Sequence, residues 1–126
     1  MNKPLIALVE DDDILAGFLE KQLKQQNMDI VHYSNGLDAV KGISESKKID
    51  LILLDISLPD MDGFEILKRL DTFQKEAQIP VVIISNFSQE KDIEWGKKLG
   101  VKSFLNKVSV TPVEIVNLIG EIISKK

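Results

Sequence analysis

Three carboxylates stand directly after apolar runs and are the residues of this sequence best suited to chemistry. Glu10 and Asp11 follow the run LIALV, and Asp55 follows the run LILL. A charged residue at the end of a buried strand needs a partner or a purpose. Carboxylates that lie close together are costly unless a cation offsets their charge, and Mg²⁺ is the usual ion where phosphate is handled. The pattern indicates a magnesium site if the two runs lie side by side.

Ser85 and Lys107 form a second pair of candidates. Ser85 follows the run VVII, and Lys107 comes after a weaker strand-like segment that contains Phe104. A hydroxyl and an ammonium group at such positions can bind the oxygens of a phosphoryl group during its transfer. Either residue alone would be ordinary solvated surface. Together with the three carboxylates they form a set of five, each at the end of a predicted strand.

Asp12 and Asp13 extend the acidic run but favour a structural interpretation. Acidic residues are common in the first turn of a helix, where they offset the positive end of the helix dipole. Asp13 is a candidate N-cap of the first helix. Ser88 and Thr111 are candidate caps of two later helices, and Pro112 suits the first helical position after Thr111.

Short apolar runs alternate along the chain with segments of helical spacing. Continuous runs of Val, Ile and Leu are typical of strands buried on both faces of a parallel sheet. The predicted strands cover residues 5–9, 30–33, 51–54, 81–84 and 103–105. Apolar stripes predict four helices, through Ile14, Leu15, Phe18, Leu19 and Leu23, through Leu37, Val40 and Ile43, through Phe64, Leu67, Leu70 and Phe73, and through Ile115, Ile119, Ile122 and Ile123. A charged helix is predicted over residues 88–99, and Gly42 is expected to weaken the second helix.

Strand followed by helix, repeated five times, predicts an α/β domain. The expected fold is a doubly wound, five-stranded parallel sheet of order 2-1-3-4-5 flanked by five helices, which is a flavodoxin-like arrangement. Ligands of such sheets bind beyond the carboxyl ends of the strands, where the strand order reverses. Here that point lies between the first and third strands. Glu10, Asp11 and Asp55 are therefore expected to meet in one crevice.

The composition is typical of a globular protein. The chain has 126 residues, of which 44% are hydrophobic and 29% are charged, and it contains no cysteine. We expect a single domain over residues 1–126 without disulfides or cysteine-bound metal. The net charge of −4 and the interspersed lysines do not favour binding to nucleic acid. No apolar run approaches the roughly 18 residues of a membrane span. The expected location is the cytoplasm, with no direct nucleic-acid or membrane partner.

The segments LIALVEDD, LILLDISLPDMDGFEIL, VVIISN and FLNK resemble, in this order, the signatures of response-regulator receiver domains of two-component signalling. The resemblance implies that Asp55 accepts a phosphoryl group from a sensor histidine kinase or a histidine phosphotransfer protein. The chain would then be a signalling phosphoacceptor that assists its own phosphorylation and dephosphorylation, not an enzyme. The implied cofactor is Mg²⁺, with Mn²⁺ as a substitute, held by Glu10, Asp11, Asp55 and the backbone carbonyl of Ser57.

The resemblance also assigns a switch and an output surface. Ser85 and Phe104 take the positions of the two switch residues, and a downstream protein would bind the face formed by the fourth helix, the fifth strand and the fifth helix. The sequence departs from the family where a proline usually follows the lysine, because Val108 follows Lys107 here. A cis bond before a residue other than proline costs roughly 3 kcal/mol, so we expect a trans bond.

Two other functions compete with a free-standing receiver domain. The chain could be the receiver part of a larger regulator with a DNA-binding or enzymatic output, although Met1 and the charged end SKK favour a free-standing protein. An aspartyl-phosphate hydrolase would resemble the pattern Asp-x-Asp-x-Thr after the first strand, and the threonine is missing. His32, the single histidine, is expected to be an edge residue away from the site without a chemical role. Trp95 is expected to be partly packed, whereas an exposed tryptophan there would be an anchor for a partner.

Overall fold

The five apolar runs form the parallel strands of one sheet. The computed structural model describes residues 3–46, 48–86 and 89–125, without the side chains of residues 72–76. The strands are β1 (Leu5–Val9), β2 (Asp29–Tyr33), β3 (Ile49–Asp55), β4 (Val81–Ser85) and β5 (Ser103–Asn106). Their spatial order is β2-β1-β3-β4-β5. The predicted fold class and strand order are confirmed.

Five helices connect and follow the strands. They are α1 (Asp13–Gln25), α2 (Gly36–Glu45), α3 (Gly63–Ala77), α4 (Glu90–Lys98) and α5 (Pro112–Ser124). Thr111 caps α5 in a capping box with Glu114, and Pro112 is its first residue, as predicted. Asp13 is not the cap of α1. Asp12 is, because its extended backbone lets its carboxylate accept the N–H groups of Ile14 and Leu15. Two further predictions, the cap Ser88 and the stripe residue Phe73, lie outside the residues and side chains described.

Strand side chains alternate between two apolar layers. On one face the sheet packs against α1 and α5, with Leu8 and Leu53 in the centre of this layer. On the other face it packs against α2 and α3, with Val9 and Leu54 in the centre. Because β1, β3 and β4 are buried on both faces, they form a rigid base for whatever lies at their ends.

The stripe predicted for α1 is partly wrong. Ala16, Leu19 and Leu23 face the sheet, while Ile14 and Phe18 are 75% and 58% exposed. Positions 16, 19 and 23 share one face of the helix, and positions 14 and 18 lie on the opposite face, which is turned toward solvent. An exposed isoleucine and phenylalanine one helical turn apart form an apolar strip on the surface.

Gly42 has a packing role that its helix propensity conceals. A Cβ atom at this position would overlap the ring and hydroxyl group of Tyr33, the last residue of β2. The ring of Tyr33 therefore takes the space of a side chain on α2. The glycine brings α2 onto the end of β2, which offsets its unfavourable helix propensity.

We expect the sign of the Gly42→Ala effect to depend on Tyr33. In the wild-type chain the substitution should lower the free energy of unfolding, because the new methyl group overlaps the tyrosine ring. In a Tyr33→Ala background the same substitution should raise the free energy by about 0.5–1 kcal/mol, the ordinary gain of alanine over glycine in a helix. Urea unfolding of the four proteins of this double-mutant cycle measures the coupling. Equal effects in both backgrounds would contradict the packing role.

Candidate functional site

The carboxyl ends of β1 and β3 bring three carboxylates together. Val9 pairs with Leu54 in the sheet, so Glu10, which follows β1, and Asp55, the last residue of β3, lie at the same level. One oxygen each of Glu10, Asp11 and Asp55 lies within 4.8 Å of the others. Glu10 and Asp55 are buried, and Asp11 is exposed to solvent. The geometry confirms that these three predicted residues share one crevice at the point where the strand order reverses.

Lys107 lies across two of the carboxylates. Its Nζ is 2.6 Å from Oε1 of Glu10 and 3.1 Å from Oδ2 of Asp55. The side chain of Lys107 is only 13% exposed, which limits the screening of this ion pair by water. Burial disfavours the charge of the ammonium group, but the contacts with Glu10 and Asp55 outweigh it and raise the pKa of Lys107.

Glu10 is the most perturbed acid of the crevice. Burial raises its pKa from 4.5 to about 7, and the Lys107 ammonium and the Asp12 N–H only partly oppose the rise. Oε2 of Glu10 accepts that N–H at 3.0 Å. No residue in the described ranges gives Oε1 a hydrogen bond of good geometry, so this buried oxygen depends on the nearby charge of Lys107.

The charges of the crevice leave room for a divalent cation. When all three carboxylates are ionised, they face one ammonium group among the described residues, which leaves two negative charges unbalanced. The donors are oxygens alone, the type that Mg²⁺ and Mn²⁺ prefer. The buried Oε1 of Glu10 lacks a good donor and would gain from a cation. Glu10, Asp11 and Asp55 therefore fit a hard divalent ion.

The loop between β3 and α3 holds Ser57 beside Asp55. Oδ1 of Asp55 accepts the N–H of Ser57 at 2.9 Å. Ser57 also forms an isolated antiparallel bridge with Asp62, and the N–H of Gly63 donates to the carbonyl of Ile56 at 3.0 Å. A Cβ atom on Gly63 would lie 2.7 Å from Cα of Ile56, so this close return of the chain requires glycine. The loop is tight enough to fix the predicted metal ligand Ser57 relative to Asp55.

Asp60 fastens this loop to α2, and sequence reasoning missed it. Its two carboxylate oxygens accept the N–H groups of Gly36 and Leu37 at 2.7 and 2.9 Å. These two hydrogen bonds lower the pKa of Asp60. The neighbouring Met61 occupies the space that a side chain at position 36 would need. No local pattern could reveal the contact, because Asp60 caps a helix that begins 24 residues earlier.

Ser85 and Phe104 continue the crevice toward α4. Ser85 is fully buried at the end of β4, one residue beyond the partner of Asp55 in the sheet. Its carbonyl accepts the N–H of Lys107 at 2.8 Å. Phe104 is half-buried on β5 and borders a cavity of about 180 Å³ together with residues of α4. An added Cβ on Gly96 of α4 would lie 3.4 Å from the Phe104 ring.

The expectation that His32 lies away from the site is wrong. Nε2 of His32 is 2.6 Å from the backbone carbonyl oxygen of Glu10. Because β2 is the direct neighbour of β1 and His32 pairs with Leu8, its side chain reaches the residue that follows β1. The predicted strand order placed the second strand beside the first, but the sequence did not show the register that brings His32 level with the end of β1.

The loop after Lys107 has the expected trans geometry. The described chain contains no cis peptide bond, so the bond before Val108 is trans. The N–H of Val108 donates to Oδ1 of Asn106 at 3.0 Å, and the Val108 side chain is 80% exposed. Asn106 thus fixes the turn after β5 where the family usually has proline.

Comparison with known proteins identifies the family. Residues 6–120 match the response regulator receiver domain family. The chain is 34% identical over 118 residues to the probable transcriptional regulator ycf29 of Porphyra purpurea. The aligned region covers 94% of this chain and 56% of that protein. It is 32% identical to the alkaline phosphatase synthesis transcriptional regulatory protein PhoP of Bacillus subtilis, in an alignment that covers 85% of this chain and 43% of that protein. It is 30% identical to protein PilH of Pseudomonas aeruginosa, in an alignment that covers 81% of this chain and 84% of that protein.

Solved structures agree in fold. A CheY-like receiver domain protein of Methanospirillum hungatei has a TM-score of 0.89 at 18% identity, over 98% of this chain and 96% of that one. The HemR receiver domain of Leptospira biflexa has a TM-score of 0.85 at 27% identity, over 97% and 95%. The chain belongs to the response-regulator receiver domains of two-component systems. It spans about half the length of the first two curated relatives. None of the helices in the described ranges has the length and apolar character of a membrane span.

The raised pKa of Glu10 predicts a pH-dependent stability in the absence of metal. Between pH 4.5 and about 7 the folded chain keeps a proton on Glu10 that the unfolded chain has released. The Glu10 contribution to the free energy of unfolding should therefore fall as the pH rises through this window. Urea unfolding in the presence of a chelator, compared with Glu10→Gln, isolates this contribution. A wild-type advantage over Glu10→Gln that grows with pH in this window would contradict the raised pKa.

Proposed function

We propose that Asp55 accepts a phosphoryl group and that the phosphorylated domain changes its binding to a partner protein. The observation that carries the proposal is the contact of Lys107 with both Asp55 and Glu10 in a crevice with Asp11. Phosphoryl transfer depends mainly on positioning and on charge neutralisation. The crevice offers a carboxylate, an ammonium group and an acidic pair, each held by a strand end.

In the proposed reaction a carboxylate oxygen of Asp55 forms a bond to phosphorus while the bond from phosphorus to the donor's histidine nitrogen breaks. The electron pair of the broken bond stays on the donor nitrogen, and an acyl phosphate results. Lys107 lies 3.1 Å from Oδ2 of Asp55, so its ammonium can turn to an oxygen of the arriving group without a large movement. Ser85, at the end of the neighbouring strand, is proposed to donate its hydroxyl to another oxygen.

The acidic pair is proposed to hold the metal ion. Glu10, Asp11, Asp55 and the carbonyl of Ser57 would hold Mg²⁺, with Mn²⁺ as a substitute, and the bound ion would neutralise charge on the phosphoryl oxygens. The hydrogen bond from the Ser57 N–H to Asp55 keeps these two residues in a fixed relation. Glu10 must be ionised to bind a cation, so its raised pKa makes the proposed site weaker in acid.

The phosphoryl donor is proposed to be a sensor histidine kinase or a histidine phosphotransfer protein in the cytoplasm. Receiver domains interact with donors of this class. Ile14 and Val108 are 75% and 80% exposed, and both follow a crevice residue within a few positions. Together with Phe18 they give an apolar rim on which a partner can bury surface while its histidine reaches Asp55.

The output is proposed on the face formed by α4, β5 and α5. Ser85 would move toward the phosphoryl group, and Phe104 would follow into the space behind it. Phe104 borders a cavity beside α4, so its rotation would change the packing of that helix. Trp95 on α4 is 41% exposed and carries the Lys68 ammonium 5.9 Å from its ring centre, which makes it a candidate anchor for a partner.

A larger regulator is the second candidate, favoured by two of the relatives. The chain covers only 56% of ycf29 and 43% of PhoP, both of which are named as transcriptional regulators. A full-length protein with a DNA-binding output would therefore use the same phosphorylation site. The length of the open reading frame decides between this protein and a free-standing domain. The alternative function as an aspartyl-phosphate hydrolase is not supported, because the chain belongs to the receiver family.

Incubation with a small acyl phosphate and Mg²⁺ should add one phosphoryl group to the wild-type chain. Asp55→Asn should abolish the addition because the amide is not a nucleophile for phosphorus, and Lys107→Ala should slow it at least tenfold through lost charge neutralisation. Asp13→Asn is the matched control, since it removes an exposed acid near the crevice that we do not place in the site. Intact mass and peptide mapping measure the result. A modified Asp55→Asn protein would refute the assignment.

The switch proposal predicts that α4 responds to a phosphoryl mimic through Phe104. Beryllofluoride with Mg²⁺ should shift the amide resonances of Asp11 and Ser57 in the crevice and of Gly96 on α4. In Phe104→Ala the crevice shifts should remain and the Gly96 shift should largely disappear. Leu105→Ala is the control, because this β5 side chain packs on the opposite face of the sheet. A Gly96 shift that persists in Phe104→Ala would show that the coupling takes another route.

A further inference from the structure

The backbone at the acidic pair is held from the side by β2. The N–H of Glu10 donates to the carbonyl of Tyr33 at 3.0 Å, which is the last backbone hydrogen bond between these two chain segments at the crevice. The strand β2 ends at Tyr33, and α2 begins at Gly36. At this end of the sheet the Glu10 carbonyl oxygen meets the His32 imidazole instead, with Nε2 at 2.6 Å.

The contact defines which ring nitrogen of His32 carries hydrogen. A backbone carbonyl oxygen only accepts hydrogen bonds, so Nε2 of His32 must be the donor. A distance of 2.6 Å between the two heavy atoms is short for such a bond. The ring is partly buried, with its strand neighbours on the layer that faces α1 and α5. The His32 side chain is therefore restrained both by its hydrogen bond to Glu10 and by the position of its backbone in β2.

The carbonyl of Glu10 belongs to the peptide group that joins Glu10 to Asp11. A peptide group is planar, so a fixed direction of its carbonyl also fixes the direction in which the chain continues to Asp11. The side chains of Glu10 and Asp11 start from the two Cα atoms that flank this peptide group. A donor on the Glu10 carbonyl thus acts on two carboxylates at once.

We propose that His32 is a positioning residue of the acidic site: its imidazole N–H fixes the peptide plane between Glu10 and Asp11 and so sets the geometry in which these carboxylates bind a divalent cation. This inference rests on the proposed function, because it concerns the metal that the acidic pair would hold. In this role His32 touches neither the metal ion nor the phosphoryl group. Hydrogen-bond partners that orient ligands change metal affinity by about 10–100-fold in other proteins.

The test compares two substitutions of His32. His32→Leu removes the donor, and water can reach the carbonyl but cannot hold its direction, so the Mg²⁺ dissociation constant should rise roughly tenfold. His32→Gln places an amide N–H at a similar reach and should recover most of the affinity. Ile30→Ala loosens the same strand on the same layer without a contact to Glu10, and its dissociation constant should stay within about twofold of the wild-type value.

The measurement is a Mg²⁺ titration followed by the amide resonances of Asp11 and Ser57, with urea unfolding of each protein in parallel. Phosphorylation by a small acyl phosphate should slow in His32→Leu at low Mg²⁺ and recover at saturating Mg²⁺, because the acceptor itself is intact. Mere destabilisation of the fold would not separate these two conditions, and it would affect Ile30→Ala as well.

Three results would overturn the positioning role: an unchanged dissociation constant in His32→Leu, an equal loss in His32→Gln, or an equal loss in Ile30→Ala. A wild-type chain that neither binds Mg²⁺ nor accepts a phosphoryl group would instead refute the proposed function, and with it the basis of the inference. A second observation supports or refutes the geometry without metal. The Asp11 amide resonance of the metal-free protein should shift in His32→Leu and return toward its wild-type position in His32→Gln.

Discussion

The contact of Lys107 with Glu10 and Asp55 is the interaction on which the rest of the crevice depends. Without the ammonium group, two buried carboxylates would face each other and an exposed third at the edge of an apolar sheet. One positive charge cannot neutralise three ionised carboxylates. The deficit is visible at Glu10, whose pKa is raised to about 7 by burial in spite of the nearby ammonium. The negative charge that remains would be offset by a cation, as the proposed metal site requires.

The sheet can hold such a charge cluster because its central strands are tightly packed and rigid. The strands β1, β3 and β4 are buried on both faces, and their register sets the ends of β1 and β3 at one level. Additional ties act on the loops beyond the strands. Asp60 fastens the β3–α3 loop to the start of α2, and His32 holds the backbone of Glu10 from β2. The two ties come from the side of the crevice where β2 and α2 lie. On the other side, Ser85 and Lys107 are joined by the pairing of β4 with β5 and by the hydrogen bond from the N–H of Lys107 to the carbonyl of Ser85.

Much of this arrangement could be predicted from the sequence, for a physical reason. Strands buried on both faces read as unbroken apolar runs, and the alternation with helices restricts the sheet to few orders. Once the order is set, Glu10, Asp11 and Asp55 must meet. The errors lie where a contact joins distant segments. The exposure of Phe18 depends on which face of α1 meets the sheet. The role of Gly42 depends on the ring of Tyr33, and Asp60 binds the start of a helix far away in the chain. No local period encodes such pairs. His32 was misjudged for the same reason.

The unequal anchoring of the crevice suits the proposed switch. A phosphoryl group on Asp55 would add charge between a side tied down by His32 and Asp60 and a side held mainly through β4 and β5. The proposed switch places the adjustment on the side of Ser85 and Lys107. Ser85 and Lys107 are linked by the N–H of Lys107, so movement of one strand end carries the other. Phe104 lies on β5, which ends just before Lys107, and its ring is near Gly96 of α4, where a glycine leaves space for a ring to shift. In the proposed switch, the half of the site held by His32 and Asp60 would define the position of the phosphoryl group, and the half with Ser85 and Lys107 would carry its arrival to the surface of α4.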